Sequence, residues 1–310
     1  MSSLRHFNRE EIMAVNPVLM ADAMAAGLAM VSGGAAVAPV RGHIELGAGN
    51  GTFLISGVLT DFDLLSVKVI NVRPANADRG LERLQGSLTI FESSTGRPLA
   101  TLDARAATEA RTAACSAVSL RLLARADARV LTVFGTGPQA EAHLRAMTAE
   151  RDFDEVRIVG RDHDKARKLA ESHNARAMSA ADALRGANVV VTATNSATPL
   201  FGMADIESGT HLAMVGSGNA HASEVEPELL ARAGAIRVDH RPSCLQEAGE
   251  IVGALLAGMI DESAVRELGE VVLGSAPGRT APEEITVYKS VGNGTQDAAL
   301  AAVLLGMSFK

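Results

Sequence analysis

Aromatic residues are scarce in this chain, and cysteines are scarcer still. Phe, Tyr and Trp make up 3% of the 310 residues, with one Tyr and no Trp. Proteins that bind single-stranded nucleic acid stack its bases on aromatic side chains, so this composition argues against such a function. The two cysteines, Cys115 and Cys244, lie far apart and lack a metal-type spacing. We therefore expect two buried thiols and no metal site.

Long runs of one residue character are absent as well. The formal net charge is -7 and no long basic run occurs, which leaves no electrostatic footprint for phosphate backbones or an anionic membrane. The segment Met1 to Glu11 mixes charges of both signs and has no apolar signal-peptide core, and no later apolar run is long enough to span a bilayer. These absences predict a cytoplasmic protein with small-molecule partners, without nucleic acid or membrane.

What the chain does contain is ample apolar material, at 47% of residues, and a length that suits two domains. Between Ala35 and Asp103 it has short β-like runs broken by Gly and Asn. An Ala- and Leu-rich helix is predicted from Thr112 to about Arg125. Beyond it, apolar strands alternate with helices, which predicts a doubly wound parallel sheet. The expected strands of that sheet are Val130–Phe134, Val156–Val159, Val189–Ala193, His211–Val215, Ile236–Asp239 and Ile285–Lys289.

The sharpest local motif follows the first of these strands. Gly135-Thr136-Gly137-Pro138-Gln139-Ala140 reads G-x-G-x-x-A and opens a predicted helix. In a dinucleotide site the first glycine permits a tight turn, the second lets the backbone approach a pyrophosphate, and the small third residue allows close helix packing. The N-terminus of the helix then offers free N–H groups to the phosphates. The motif therefore predicts a nicotinamide-dinucleotide site of Rossmann type.

The end of the next strand bears on which dinucleotide is bound. Gly160-Arg161 occupies the tip where enzymes selective for NAD usually place a carboxylate for the ribose 2′-hydroxyl. An arginine there suits the 2′-phosphate of NADP. Asp162, one residue further, is able to bond a ribose hydroxyl, so NAD stays open. We expect NADP(H) to be favoured over NAD(H) through Arg161.

Several segments together resemble the ornithine cyclodeaminase/mu-crystallin family. Each segment alone is a modest signal, but their order and spacing make the set specific. They are Pro39-Val40-Arg41, Ser66-Val67-Lys68-Val69-Ile70-Asn71, Asp103, Glu109-Ala110-Arg111-Thr112-Ala113-Ala114, Gly135–Ala140, Thr192-Ala193-Thr194, Val215-Gly216-Ser217 and Lys289-Ser290-Val291-Gly292-Asn293. The resemblance spans nearly the whole chain. It implies a Rossmann dinucleotide-binding domain at residues 116–290 and an α+β substrate and dimerisation domain at 1–115, onto which the C-terminal helix 291–310 packs back.

The resemblance also assigns residues. It places Arg41, Lys68 and Arg111 at the cationic positions that hold a substrate carboxylate. A lysine at such a position is also able to donate or accept a proton when its pKa is lowered. Lys68 stands out independently, because it interrupts the apolar strand Leu64 to Val72. Asn71 and Asn293 are secondary candidates. The cofactor residues implied beside Gly135, Thr136, Gly137, Pro138, Gln139 and Arg161 are Thr112, Thr194, Val215 and Gly216. A homodimer is expected, because the β-rich domain has sheet edges that need covering.

Two departures from the family pattern affect the reaction. Members that cyclise ornithine carry an Asp after the fourth Rossmann strand, where this chain has Gly218, and a Glu before the strand of the lysine, where Phe53-Leu54-Ile55-Ser56 has no carboxylate. Glu45, Asp61 and Asp63 are possible substitutes. The resemblance therefore favours an NAD(P)-dependent reductase of a cyclic imino acid (a ketimine), or an enzyme interconverting a small amino acid and its imine. The alternatives are ornithine cyclodeaminase with bound NAD and a non-catalytic NADP-binding crystallin-like protein.

Overall fold

The computed structural model describes residues 4–309 and divides the chain into two compact units. One unit runs to Arg111 and resumes at Gly292, and the other is Thr112–Val291. Which unit binds the substrate and which binds the cofactor stays a prediction. Within residues 4–309, none of the helices combines the length and the apolar character that a bilayer crossing requires.

The strands of the described chain are short to medium in length. In order they are β1 (Arg5–Phe7), β2 (Ala36–Val37), β3 (Gly42–Gly47), β4 (Asn50–Leu59), β5 (Leu64–Val72), β6 (Leu84–Glu92), β7 (Pro98–Leu102), β8 (Val130–Phe134), β9 (Glu155–Val159), β10 (Arg176–Ala177), β11 (Val189–Thr192), β12 (His211–Met214), β13 (Ala233–Val238), β14 (Val265–Glu267) and β15 (Ile285–Lys289).

The helices vary more in length than the strands do. In order they are α1 (Arg9–Met13), α2 (Pro17–Ser32), α3 (Ala104–Leu123), α4 (Pro138–Glu150), α5 (His163–Ser172), α6 (Ala180–Leu184), α7 (Glu228–Ala231), α8 (Arg241–Glu247), α9 (Gly249–Leu256), α10 (Leu268–Val272) and α11 (Gly294–Leu304).

The first unit is built on one mixed, mainly antiparallel sheet. Its strand order is β1-β7-β6-β5-β4-β2, with β3 also paired to β4. Since side chains alternate along a strand, Lys68 of β5 and its cross-strand neighbours Ile55 and Leu88 share one face. All three side chains are buried. The one cation of β5, Lys68, therefore lies on the inner, buried face of this sheet.

The C-terminal helix α11 packs onto that sheet at a point where both contacting residues, Gly57 and Gly294, are glycines. A Cβ added to Gly57 of β4 would collide with the backbone of Gly294 and Thr295, and one added to Gly294 would collide with the backbone at Ser56 and Gly57. The Ser66 hydroxyl donates to the Gly294 carbonyl at 2.7 Å. The start of α11 is therefore fixed against the centre of the sheet.

The second unit is an all-parallel sheet in the order β10-β9-β8-β11-β12-β15-β13-β14. Chain order reverses between β8 and β11, so β8 lies at the switch point of a doubly wound fold. Its core lies among buried aliphatic side chains such as Val190, Leu212, Val238 and Val287. The predicted α/β class, a Rossmann-type parallel sheet plus an α+β part, is confirmed.

One helix starts earlier than the sequence predicts. Helix α3 begins at Ala104 rather than Thr112, because the Asp103 carboxylate accepts the backbone N–H groups of Arg105 and Ala106 at 3.0 and 2.8 Å and so caps its first turn. Polar residues in the first two turns obscured this start. As a result Arg111 lies inside a helix, with Thr108 one turn before it.

Candidate active site

Lys68 lies on the central strand of the first sheet and is 1% exposed. Its ammonium donates to Asp297 Oδ1 at 2.9 Å and to Thr108 Oγ1 at 3.2 Å, and it lies 2.8 Å from Asp297 Oδ2. The sequence singled out this lysine because it interrupts an apolar strand, and its side chain is buried there. Burying a charge is costly unless it is paired, and here Asp297 is the paired group.

The surroundings of Lys68 change its acidity. The net effect of its surroundings lowers the pKa of its ammonium from the ordinary 10.5 to about 8, and burial is the largest cause. The positive charges of Arg111 and Arg41 also lower this pKa, whereas the charge and hydrogen bond of Asp297 raise it. A lysine whose pKa lies near the working pH is able to exchange a proton with a bound substrate.

Arg111 lies on α3 and is 5% exposed. Its Nη1 donates to Gln296 Oε1 at 2.6 Å, and its Nε lies 3.9 Å from Asp297 Oδ1. Beneath the guanidinium is Gly292, whose φ of 81° is in the left-handed region and where any Cβ would collide with that group. The structure thus brings Arg111 to the same carboxylate that Lys68 contacts.

Arg41 precedes β3 and is half-buried. Its guanidinium lies over the ring of Phe53, 4.5 Å from the centroid. Phe53 shares the inner face of β4 with Ile55, the residue that pairs with Lys68. Because Arg41 also lowers the pKa of Lys68 through its charge, the three cations predicted from the sequence lie within electrostatic reach of one another.

Two buried N–H donors near these cations lack a hydrogen-bond acceptor within the described chain. They are Arg111 Nε and Asn293 Nδ2. Asn293 otherwise caps α11, accepting the backbone N–H groups of Thr295 and Gln296. Buried donors are rarely left unsatisfied, so the cluster is suited to an anionic ligand such as a carboxylate. Asn71 is different, because it lies on the opposite face of β5 from Lys68 and accepts from Thr52 and Arg73.

Asp297 and Gln296 were not found from the sequence. Residues 294–307 read as an Ala- and Leu-rich helix that packs back on the first domain, and its polar residues drew no attention. The available signal was an acidic residue and an amide within an apolar helix that the remaining sequence required to be buried. Both side chains are buried, at 0% and 3% exposed.

In the second unit, the G-x-G-x-x-A segment joins central strand β8 to α4. Gly135 has a φ of 129°, and a Cβ there would collide with the Ala193 carbonyl. Gly137 is the N-cap of α4, no side chain caps this helix, and a Cβ on Gly137 would meet open space. Pro138 forms the first turn. Open backbone N–H groups at a helix N-terminus fit a pyrophosphate, so these residues suit a dinucleotide.

The tip of β9 carries Arg161, which is exposed, and Asp162 beside it. The Asp162 carboxylate accepts the Lys165 backbone N–H at 3.1 Å as the N-cap of α5, and this hydrogen bond lowers the pKa of Asp162. Thr136 of the glycine loop packs against Gly160, where a Cβ would collide with it. Because Asp162 has a capping role, Arg161 is the better placed of the two for a ribose substituent.

A third residue that sequence reasoning missed is Glu224, which is fully buried. Its Oε1 accepts the N–H and hydroxyl of Thr194 at 2.8 and 2.7 Å, and its Oε2 accepts the Thr192 hydroxyl and the Gly216 N–H, both at 2.8 Å. One carboxylate therefore joins the carboxyl ends of β11 and β12. Ligands of doubly wound sheets bind outside these strand ends, where Thr194, Val215 and Gly216 were predicted to contact the cofactor.

Two buried histidines of the second unit, His143 and His211, do not resemble catalytic groups. Burial lowers the pKa of His143 to about 4 and that of His211 to about 3. Their ring nitrogens contact Ser116 and Ser119, each at 3.0 Å. Cys115 and Cys244 form no disulfide and both are buried, as predicted.

The three carboxylates named as substitutes for the missing family acids are either exposed or bound in a turn. Asp63 accepts the N–H and hydroxyl of Ser94 at 2.7 and 2.6 Å, which fixes a turn of the first sheet. Glu45 and Asp61 are exposed. Position 218 is a glycine. Beside Lys68, the acidic group that the structure supplies is Asp297, and it is already paired with that lysine.

Comparison with known proteins agrees with this geometry. The family model described as the ornithine cyclodeaminase/mu-crystallin family matches residues 7–306. A Delta(1)-pyrroline-2-carboxylate reductase of Bacillus cereus is 31% identical over 277 residues, which cover 86% of this chain and 85% of that protein.

Two solved structures share the fold over almost the whole chain. Thermococcus litoralis Delta(1)-pyrroline-2-carboxylate reductase, in complex with NADH and L-proline, has a TM-score of 0.91 at 26% identity, covering 99% of this chain and all (100%) of that one. An archaeal alanine dehydrogenase dimer with bound NAD has a TM-score of 0.91 at 28% identity, with coverage of 98% and 95%. The resemblance found in the sequence is confirmed, and the chain belongs to the ornithine cyclodeaminase/mu-crystallin family.

Proposed function

We propose that this protein is an NAD(P)H-dependent reductase of a small cyclic imino acid, a five- or six-membered ring with a C=N bond next to a carboxylate. The observation that carries the proposal is the buried pair of Lys68 and Arg111 beside one carboxylate, Asp297, with the half-buried Arg41 within electrostatic reach of Lys68. Three cations against one buried anion leave positive charge for an anionic substrate. The reductases named among its relatives support an imine as that substrate.

Each cation has a distinct task in the proposed reaction. Arg111 and Arg41 bind the substrate carboxylate, for which a guanidinium offers a planar pair of donors. Lys68 lies beside the imine nitrogen and gives it a proton. The bound nicotinamide supplies the hydride. Holding the planar imine in one orientation converts an encounter of two molecules into a positioned transfer, a gain that reaches several kcal/mol in favourable cases.

The test is a substrate screen that follows NADPH and NADH oxidation. It pairs pyrroline-2-carboxylate and piperideine-2-carboxylate with pyruvate plus ammonia, and pyruvate without ammonia serves as the control for carbonyl reduction. Ammonia release from ornithine is measured in parallel. We expect turnover with a cyclic imine. Ammonia from ornithine without net oxidation would instead identify a cyclodeaminase, and tight NADPH binding without any turnover would identify a crystallin-like binding protein.

We propose a preference for NADP(H) that depends on Arg161. A guanidinium at the tip of β9 pairs with the 2′-phosphate, while Asp162 is held in its capping role. Arg161→Ala should therefore raise the Michaelis constant for NADPH on the order of 10- to 100-fold, the loss of a charge-assisted contact, and leave that for NADH nearly unchanged.

Arg167→Ala is the matched control for this change. Arg167 is an exposed arginine on α5 whose partner is Asp164, at 3.2 Å. Its removal alters the local charge equally but should not affect the ratio of the two Michaelis constants. Equal Michaelis constants for NADPH and NADH in the unmodified protein would contradict the preference.

We also propose that the protein is a homodimer that covers the outer face of its first sheet. Cross-strand pairing puts Val37, Ile44, Leu54 and Val67 on this face, and they are 54%, 48%, 46% and 38% exposed. Large apolar side chains exposed together on one face of a sheet are typical of a protein interface. The dimeric alanine dehydrogenase with the same fold supports a second copy as the partner. Sedimentation should give about twice the chain mass of 32.1 kDa.

The double variant Leu54→Glu/Val67→Glu should sediment as a monomer, because two carboxylates per chain would be buried without partners. Leu256→Glu is the control, since Leu256 lies on the second unit and is 85% exposed. A stable monomer of the unmodified protein at micromolar concentration would refute the dimer.

A further inference from the structure

Asp297 occupies a position that the fold fixes closely. It lies in the first turn of α11, where the helix dipole favours a negative charge, and it is fully buried. The helix start is fixed by the close contact of Gly294 with Gly57 and by the Ser66 hydroxyl. The carboxylate therefore has little freedom to move relative to β5, which carries Lys68.

Asp297 and Thr108 together define the direction of the Lys68 ammonium. The Thr108 hydroxyl donates its own hydrogen to the Ala104 carbonyl at 2.7 Å, so toward Lys68 it accepts. Of the three ammonium hydrogens, one is donated to Asp297 Oδ1 and one to Thr108 Oγ1. Asp297 Oδ2 also lies 2.8 Å from the ammonium nitrogen, so the carboxylate faces Lys68 with both oxygens. In the proposed reaction a substrate nitrogen takes the remaining hydrogen.

The charged groups that act on Lys68 come from each element packed around it. Arg111 on α3 and Arg41 before β3 are positive, and Asp297 on α11 is negative. Two buried or half-buried guanidinium groups and a desolvated site all favour a neutral lysine. Asp297 opposes them.

We propose that Asp297 is a positioning residue for imine reduction: its carboxylate holds the Lys68 ammonium in direction and keeps it charged until the substrate nitrogen takes the proton. This role rests on the proposed function. The imine nitrogen receives H⁺ from Lys68, the imine carbon receives a hydride from NAD(P)H, and the neutral Lys68 amine regains a proton from water. The sum is imine plus hydride plus one proton giving the amine.

The pH profile separates this role from a merely structural one. Lys68 must be charged to act, so activity is present below the pKa of Lys68, about 8, and is lost as pH rises through it. Asp297→Asn removes the group that raises this pKa, so the basic limb of kcat/KM should move about 1 to 3 pH units lower. Activity lost at neutral pH should return on acidification, and Asp297→Glu, which keeps a carboxylate, should restore the limb toward its original position.

Glu109→Gln is the matched control. Glu109 is another buried carboxylate of the first unit, 3% exposed, but its partners are Arg9 at 2.7 Å and Arg105 at 3.1 Å. It should leave the basic limb where it is. A basic limb that stays unchanged in Asp297→Asn, with only a lower plateau, would overturn the proposal.

A measurement that does not depend on activity separates the role of Asp297 from the proposed reductase function. The Lys68 side-chain NMR signal, assigned by its loss in Lys68→Arg, is titrated with and without Asp297→Asn in the free protein. If imines are reduced but neither the signal nor the limb shifts, Asp297 has no such role. If the midpoint falls but no imine is reduced by the unmodified protein, the proposed function fails, and this role in it fails with it.

Discussion

Lys68→Met should lower kcat for cyclic-imine reduction on the order of 10²- to 10⁴-fold, the usual contribution of a positioned proton donor. Methionine approximates the length of the lysine side chain but cannot give a proton to the imine nitrogen. The substitution also leaves Asp297 buried beside Arg111 alone, at 3.9 Å. Removing one partner of a buried ion pair costs about 3–5 kcal/mol of unfolding free energy, so thermal unfolding must be measured alongside kcat.

Lys68→Arg separates the two effects. The guanidinium keeps a positive charge beside Asp297 and should retain more of the stability, but its pKa is far too high for it to act as a proton donor. We expect both variants to lose turnover and Lys68→Met alone to lose much stability. Near-normal kcat of Lys68→Met with every imine and keto acid tested would remove the acid/base role and leave Lys68 as a binding residue.

Arg111→Lys should raise the Michaelis constant for the imino acid roughly 10- to 100-fold while changing kcat much less. Lysine preserves the charge but loses the planar pair of donors for the substrate carboxylate. It also loses the Nη1 contact with Gln296, which holds the guanidinium in place. Initial rates over a range of substrate concentrations at saturating NADPH measure both constants.

The control for Arg111 lies on the same helix. Arg105→Lys changes an arginine that pairs with Glu109 and Glu82. It should leave the Michaelis constant unaltered. Gly292→Ala should reproduce the defect of Arg111→Lys, since its Cβ would displace the guanidinium. An unchanged Michaelis constant in Arg111→Lys would show that the carboxylate is bound elsewhere.

Features with a local cause could be predicted from the sequence. A dinucleotide-binding glycine loop requires a strand, a tight turn and a helix start next to one another. The residues around Gly135 predict all three from consecutive positions. Lys68 was recognisable because a charge in the middle of an apolar strand must have a partner. The family resemblance added the two arginines, which composition alone would have assigned to solvated surface.

Features created by tertiary contact could not be predicted in this way. Asp297 meets Lys68 across 229 residues of sequence, and Glu224 meets Thr192 across 32. No periodicity connects such positions, and each acid taken alone resembles an ordinary surface residue. The early start of α3 was missed for a related reason, since its cap, Asp103, looks like the end of the preceding strand.

Glu224 has a consequence for how this protein could be redesigned. The bonds that hold the ends of β11 and β12 come from a side chain beyond the segment 217–223, and Ser217 closes that segment by donating to the Ala222 carbonyl at 2.8 Å. The contacts of Glu224 and Ser217 that bound the segment do not involve the side chains of residues 218–221. Within the segment, the Asn219 carboxamide oxygen accepts the His221 N–H at 2.9 Å. Substitutions at those four positions should therefore leave the ends of β11 and β12 held in place, whereas changes at Gly216 or Glu224 should not.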